Sequence, residues 1–265
     1  MSGELLDAAW LAALRRQADE PPRVPRVALW AGGTRIGSVE PEWARGLVLR
    51  PEWIAPAQRG GEAGWEVLGD ITASLHAVAL ALRDAGAAHA WRDEQLAVRD
   101  DSGAIIATVE RAAVRPLGIA TRAVHLVGLS PDGRHWVQQR SLTKPNDPGL
   151  WDTLMGGMVP ASDSVEAALE RETWEEAGLR VAQLRELSRG GRVTLRCPTD
   201  SGRGGYVVEQ IDWYRCVVPE GVVPVNQDGE VAQFGLLAPD ELASRLHRDE
   251  FTLEAALIIA QCMAL

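Results

Sequence analysis

The sequence predicts an α/β protein in two parts, a smaller α+β unit over 1–117 and a larger unit of mixed strands and helices over 118–265. Three observations predict it. Alternating apolar runs face each other across Asp- and Gly-bearing turns in both parts, 95–99 with 105–110 and 123–129 with 136–140, the pattern of hairpins. Helical periodicity recurs beside them, at about 4–18, 70–85, 164–177, 239–246 and 253–263. Pro116-Leu-Gly118 punctuates the chain between the two parts.

In the first part, the helix at about 4–18 precedes a strand at 27–30, a Gly32-Gly33 turn and a strand at 36–39. A stretch rich in Pro and Trp follows and reads as irregular, before the helix at about 70–85 and the first hairpin. His76 and His89 stand alone here and read as structural. The second part opens on its own hairpin and runs through the loop Arg140-Ser-Leu-Thr-Lys144-Pro-Asn-Asp-Pro-Gly149 into the helix 164–177. Strands near 192–197, 206–218 and 230–237 follow, and two helices close the chain.

The stretch 157–179 concentrates the chemistry. Asp163 reads as a helix N-cap with Glu166 completing a capping box, and Gly178-Leu179 reads as the C-terminal stop. Val165, Leu169 and Thr173 mark the buried side of the helix. Glu172, Glu175 and Glu176 border that stripe instead of opposing it, so they are not a solvated acidic face. Like charges three and four residues apart repel by roughly 0.2–0.5 kcal/mol per pair. The C-terminal half of a helix disfavours anions as well. A hard divalent cation with oxygen ligands removes both penalties, so metal binding is expected, with Mg²⁺ first and Mn²⁺ as a substitute.

The full spacing is Gly157, five residues, Asp163, seven residues, then Arg171-Glu172-Thr173-Trp174-Glu175-Glu176-Ala177-Gly178-Leu179. It resembles the signature box of the Nudix hydrolases, which cleave diphosphates attached to another group. The resemblance implies a Nudix α/β/α sandwich for the second part. It implies that Glu172, Glu175 and Glu176 bind the metal, that Gly157 offers a backbone carbonyl to it, and that Arg171 orients the glutamates by salt bridge. Asp163 stands where the family usually has Glu, and no metal role is carried onto it.

Outside the box, Trp91-Arg-Asp-Glu94, Val109-Glu-Arg-Ala112, Pro148-Gly149 and Asp228-Gly-Glu-Val231 are similar to a Nudix subgroup with an extra N-terminal domain. That subgroup includes fungal and plant enzymes and a domain fused to some thiamine pyrophosphokinases. The resemblance implies hydrolysis of thiamine diphosphate, or its oxidised analogues, to the monophosphate plus phosphate. Catalysis is then expected from Arg171, Glu172, Glu175 and Glu230. Glu230 would act as the late metal-binding or base glutamate of such enzymes, while a turn carboxylate beside Gly229 is the plainer alternative.

Substrate contacts are expected from Arg140, Lys144 and His125. Lys144 is the only lysine of the chain, and it lies in the loop that leads to the box, where a phosphate-facing cation belongs. His125 falls mid-strand and reads either as a core histidine or as a pocket group. Rival activities are hydrolysis of nucleoside diphosphate derivatives such as ADP-ribose or nucleotide sugars, and isomerisation of isopentenyl diphosphate. No cysteine stands in the box loop to support isomerisation. A non-catalytic Nudix sensor is the rival from another class, although such proteins usually lose box glutamates and this chain keeps them.

A net charge of −10 argues against nucleic-acid or anionic-membrane partners. An acidic protein that handles a polyanion needs cations to mediate, in agreement with the expected metal. The small-molecule diphosphate partner is what the resemblance implies. A homodimer is compatible with this composition. Cys197, Cys216 and Cys262 are widely separated and lack metal spacing, as in a protein of a reducing compartment. Glu4 and Asp7 interrupt the start of the chain, so no signal peptide is expected and the cytoplasm is the expected location.

Overall fold

The computed structural model describes residues 6–199 and 204–265. Residues 4 and 5 of the first expected helix lie outside them. That helix, α1 (Ala8–Ala18), starts at Asp7, whose carboxylate accepts a hydrogen bond from Trp10 N at 2.8 Å. Next come β1 (Val27–Ala31) and β2 (Thr34–Val39), which pair antiparallel. The stretch that reads as irregular holds a second hairpin, β3 (Ile54–Arg59) and β4 (Glu62–Val67), turning at Gly60-Gly61. Pro56 hides it, because proline argues against a central strand; β3 is an edge strand, where a missing N–H is tolerated. The sheet order is β2-β1-β4-β3. Helix α2 (Ile71–Asp84), capped by Asp70, and the hairpin of β5 (Gln95–Arg99) and β6 (Ile105–Glu110) complete this part.

The second part contains β7 (Thr121–Leu129), β8 (His135–Arg140), β9 (Trp151–Asp152), β10 (Met155–Met158) and α3 (Val165–Ala177). Then follow β11 (Arg185–Pro198), β12 (Tyr206–Val217), β13 (Val231–Leu237), α4 (Pro239–His247) and α5 (Leu253–Met263). Their sheet runs β11-β12-β7-β8-β13, with β10 added to β7 and β9 to β8. Only the β12–β7 pair is parallel among the described strands of this sheet.

Alternation along β7 divides the packing. Val124 and Leu126 join Leu169 of α3 in one cluster, while Ala123 and Val127 join Leu242 of α4 and Ile258 of α5 in another. The result is the expected α/β/α sandwich. Helix α1, although first in sequence, packs with this second part: Leu14 and Ala18 bury in the cluster that holds α5 and β11.

The parts interlock beside the box. Met158 of β10 buries in the first part's core, and Ala161 N donates to Gln95 O of β5 at 2.8 Å. Arg115 pairs with buried Glu209 at 3.0 Å. Hairpin β5–β6 therefore lies along the loop entering α3. No helix among the described residues is long and apolar enough to cross a membrane.

Leu14→Ala tests the placement of α1. Deleting this buried side chain should lower the stability of the full chain by about 2–4 kcal/mol. Denaturant unfolding measures it, and wild-type stability would detach α1 from the core.

Candidate active site

Helix α3 begins one residue later than expected. Ser164, not Asp163, is the N-cap, with its Oγ accepting from Ala167 N at 3.1 Å. Asp163 belongs to the preceding turn, its N–H donating to Pro160 O, and its carboxylate accepts from Arg171 Nε at 3.1 Å. Glu166 meets Tyr214 Oη at 3.5 Å in place of a capping box.

The other end is fastened more heavily. Gly178 sits at φ +62°, its N–H bonded to Trp174 O at 2.8 Å and Leu179 N to Thr173 O at 3.2 Å. A Cβ at Gly178 would also lie 2.5 Å from Val225 O. The β12–β13 loop donates Val225 N to Ala177 O at 2.8 Å and Gln227 N to Glu175 O at 3.0 Å. These bonds satisfy carbonyls that a helix end leaves open. The same loop ends on Glu230, which is how a residue distant in sequence arrives beside the box.

The opposing wall is β10. Its register places Gly157 across from Val124 and Gly156 across from His125, so the two glycines face opposite sides of the sheet. A Cβ on Gly157 would lie 2.3 Å from Glu172 Cδ, so only glycine lets that carboxylate rest against the strand. Glu176 reaches the same strand, accepting from Gly156 N at 3.0 Å and from Gln138 Nε2 at 2.7 Å.

Two cations hold these anions. Arg171 Nη1 pairs with Glu172 at 3.0 Å and with Glu175 at 2.8 Å. Lys144 Nζ lies 3.6 Å from Glu176 Oε1 and ion-pairs with Glu230. Glu230 in turn accepts from Arg92 Nη1, from the first part, at 2.9 Å.

Burial sets the protonation chemistry. It pushes Glu172 up to about 7, and the charge of Arg171 only partly opposes this. Glu176 rises to about 7 for the same reason, despite Lys144 and the Gly156 N–H. Burial works against Arg171 too, but Glu172, Asp163 and Glu175 outweigh it and hold the guanidinium above its ordinary pKa. Burial also acts to raise Glu230; the hydrogen bonds and charges of Lys144 and Arg92 overcome it and bring the carboxyl down to about 2. Held this way, Glu230 is a poor proton acceptor.

Two residues expected to contact substrate have their side chains engaged within the fold. His125 is 4% exposed and faces the opposite side of the sheet from Glu172, with Gly156 against its ring and Nδ1 3.0 Å from Thr153 Oγ1. Desolvation lowers its pKa against the pull of Asp152. It supports the glycine strand from behind. Arg140 spends its guanidinium on Asn146 O at 3.0 Å and Asp152 at 3.4 Å, ordering the loop that carries Lys144. Arg92, Gln138 and Gly156 are not among the expected site residues; the Trp91-Arg-Asp-Glu94 motif and the Gly156-Gly157 pair are the sequence signals for Arg92 and Gly156, and Gln138 has none.

Among the described residues no three carboxylate, imidazole or thiol groups already converge as a metal nest, because the glutamates turn to Arg171 and Lys144. The donor set nevertheless fits a hard cation. Glu172 and Glu176 are buried carboxylates whose charge is under-compensated, and Gln138 Oε1 beside Glu176 is buried without a partner.

Residues 120–261 match the NUDIX domain family. The chain belongs to the Nudix family. Nudix hydrolase 20 of Arabidopsis thaliana, a chloroplastic protein, is 32% identical over 186 residues, covering 69% of this chain and 49% of the relative. An isopentenyl-diphosphate Delta-isomerase of Streptomyces avermitilis is 32% identical over 156 residues, 58% of this chain and 75% of that one. A Deinococcus radiodurans crystal structure covers 65% of this chain and 100% of its own at a TM-score of 0.51 and 18% identity, a likeness of fold. The chain spans about half the length of the first curated relatives it matches, between 42% and 53%.

The raised pKa of Glu176 has a signed consequence. A carboxyl raised from 4.5 to about 7 gives the metal-free fold its full contribution below the unfolded value and loses it as pH rises through 7. Glu176→Gln mimics the protonated form. In chelator it should match wild type near pH 5 and exceed it near pH 8 by roughly 2–3 kcal/mol. Denaturant unfolding at the two pH values checks this, and a wild type that is the more stable near pH 8 contradicts it.

Proposed function

We propose that this chain is a Mg²⁺-dependent Nudix hydrolase of organic diphosphates, with thiamine diphosphate or its oxidised analogues as the leading substrates. The observation that carries the reaction class is the pair of buried glutamates, Glu172 and Glu176, set against the Gly156-Gly157 backbone with Arg171 and Lys144 beside them. Glu172, Glu176 and the exposed Glu175 would hold the metal, with the Gly157 carbonyl as a further oxygen donor. A divalent cation held there would supply charge neutralisation of the diphosphate and Lewis-acid activation of water.

The protein's own groups do the rest. Arg171 keeps Glu172 and Glu175 in fixed positions through its Nη1, while its Nε holds Asp163. Lys144 turns its ammonium from Glu176 toward a phosphate oxygen and stabilises the charge that develops there. Glu175, at the mouth with a side chain 41% exposed, accepts the proton of the attacking water. Glu230 anchors Lys144 and is the weaker candidate for that proton. The thiamine assignment draws support from the short motifs outside the box; the Arabidopsis match, longer than 120–261, takes in some of the first part and names no substrate. A cytoplasmic location belongs to the same proposal.

A panel of thiamine diphosphate, ADP-ribose, a nucleotide sugar and isopentenyl diphosphate, assayed with Mg²⁺ and with chelator, tests the assignment. Thiamine diphosphate should give monophosphate and phosphate with the highest kcat/KM. Preference for a nucleotide substrate, or isomerised isopentenyl diphosphate, would replace the substrate assignment. Glu176→Gln should lower kcat by about a hundredfold or more on any diphosphate that is cleaved. Lys144→Ala should slow all of them irrespective of the organic group, with only partial rescue by Lys144→Arg, whose planar head does not reproduce a compact ammonium. Wild-type turnover in either loss-of-charge variant would remove that residue from the site.

A further inference from the structure

An ion chain crosses from the first part of the molecule into the glutamate site. Arg92 bonds Glu230 at 2.9 Å, Glu230 pairs with Lys144, and Lys144 lies 3.6 Å from Glu176. The side chains grow less exposed along it: 37% for Arg92, 31% for Glu230, 10% for Lys144 and 2% for Glu176. Arg92 thus stands at the outer end of a line of charge that leads to the box.

Several contacts hold the loop that carries it. Ala90 and Asp93, flanking the Trp91-Arg92 pair, take left-handed backbone angles of φ 56° and 54°, which non-glycine residues rarely adopt. Trp91 Nε1 donates to Asp93 at 2.6 Å, and the Arg83 guanidinium stacks 4.6 Å from the Trp91 ring. Arg92 N donates to fully buried Glu110 at 3.1 Å. Arg111 closes the assembly by pairing with Glu94 at 2.6 Å. The two short motifs at 91–94 and 109–112 are therefore one built structure whose outward product is the position of Arg92.

Fastening the two parts together does not require this residue, since the Arg115–Glu209 pair and the Ala161–Gln95 backbone bond already do so. Charge count points elsewhere. Glu230 is one carboxylate shared between two cations, and Lys144 would lose its second anion if Glu176 held a metal. Two cations would then share one carboxylate beside the box glutamates, and a guanidinium fork matches phosphate oxygens.

We propose that Arg92, supplied by the N-terminal part, is a phosphate-binding residue of the Nudix site: with Lys144 it takes the terminal phosphate of the diphosphate, exchanging Glu230 for phosphate oxygen. This rests on the diphosphate reading above. It makes the first part a component of the active site on the phosphate side, independent of what the organic group is.

Calorimetric titration with methylenediphosphonate, a diphosphate that cannot be hydrolysed, in the presence of Mg²⁺ tests the assignment on the full chain. Arg92→Ala should weaken binding by about tenfold or more, the scale of a lost hydrogen bond to a charged group, and Arg92→Lys should fall between. Arg92→Gln serves in place of alanine if the alanine variant melts early. The loss should persist in a Glu230→Gln background. Wild-type affinity in the folded Arg92 variants overturns the proposal. So does a loss that disappears in the Glu230→Gln background, which would make Arg92 a positioning residue for Glu230. A wild type that does not bind the diphosphonate overturns it too. The two readings separate: an active diphosphate panel with Arg92-independent binding removes only this assignment, whereas an inactive panel with Arg92-dependent binding removes hydrolysis and leaves the phosphate contact.

Discussion

Two carboxylates buried near the C-terminal end of one helix set the terms for everything around them. Glu172 and Glu176 lie where the helix dipole and desolvation both oppose their charge, and burial raises each to about 7. An arrangement of this kind persists only if its surroundings supply positive charge and donors. Arg171, Lys144, the Gly156 N–H and Gln138 do so here. The glycine strand is part of the same solution, because a side chain at Gly157 would occupy the space of Glu172. So is the β12–β13 loop, which closes the helix end with backbone donors and delivers Glu230.

The two parts of the chain depend on each other around this centre. The sandwich supplies the glutamates, and its own second face is completed by α1, which comes from the start of the chain. The N-terminal part returns along the loop before α3 and sends Arg92 to Glu230. A boundary in sequence near Gly118 is consequently not a boundary in packing. Separating the parts would leave Leu14 and Ala18 without their core and Glu230 with Lys144 as its remaining ion-pair partner.

Local signals are legible in the sequence and long-range placement is not. The box can be read because its partners lie on one helix and the loop before it, and Gly178 because a left-handed helix end demands glycine. The hairpins at 95–110 and 123–140 alternate plainly enough to be read as well. Hairpin β3–β4 escapes because Pro56 and adjacent glycines resemble a loop, and whether a proline strand is tolerated depends on its being at a sheet edge. The N-cap is missed by one residue because Asp163 and Ser164 are both good caps and only the turn decides between them. The face of His125 depends on the pairing of β10 with β7, and Arg92 on a contact across 138 residues, neither of which periodicity contains.

Glu172 and Glu176 are held for a divalent cation that takes over from Lys144 at Glu176, while Arg171 keeps its grip on Glu172 and Glu175. Direct titration of the folded, metal-free chain with Mn²⁺ near pH 8, followed by the loss of the free-ion paramagnetic resonance signal, measures this without reference to any substrate. Wild type should bind saturably, and Glu172→Gln and Glu176→Gln should each weaken binding by about tenfold or more, the order of effect seen when a charged hydrogen-bonding group is lost. Absence of binding in wild type, or equal affinity in both folded variants, would contradict it.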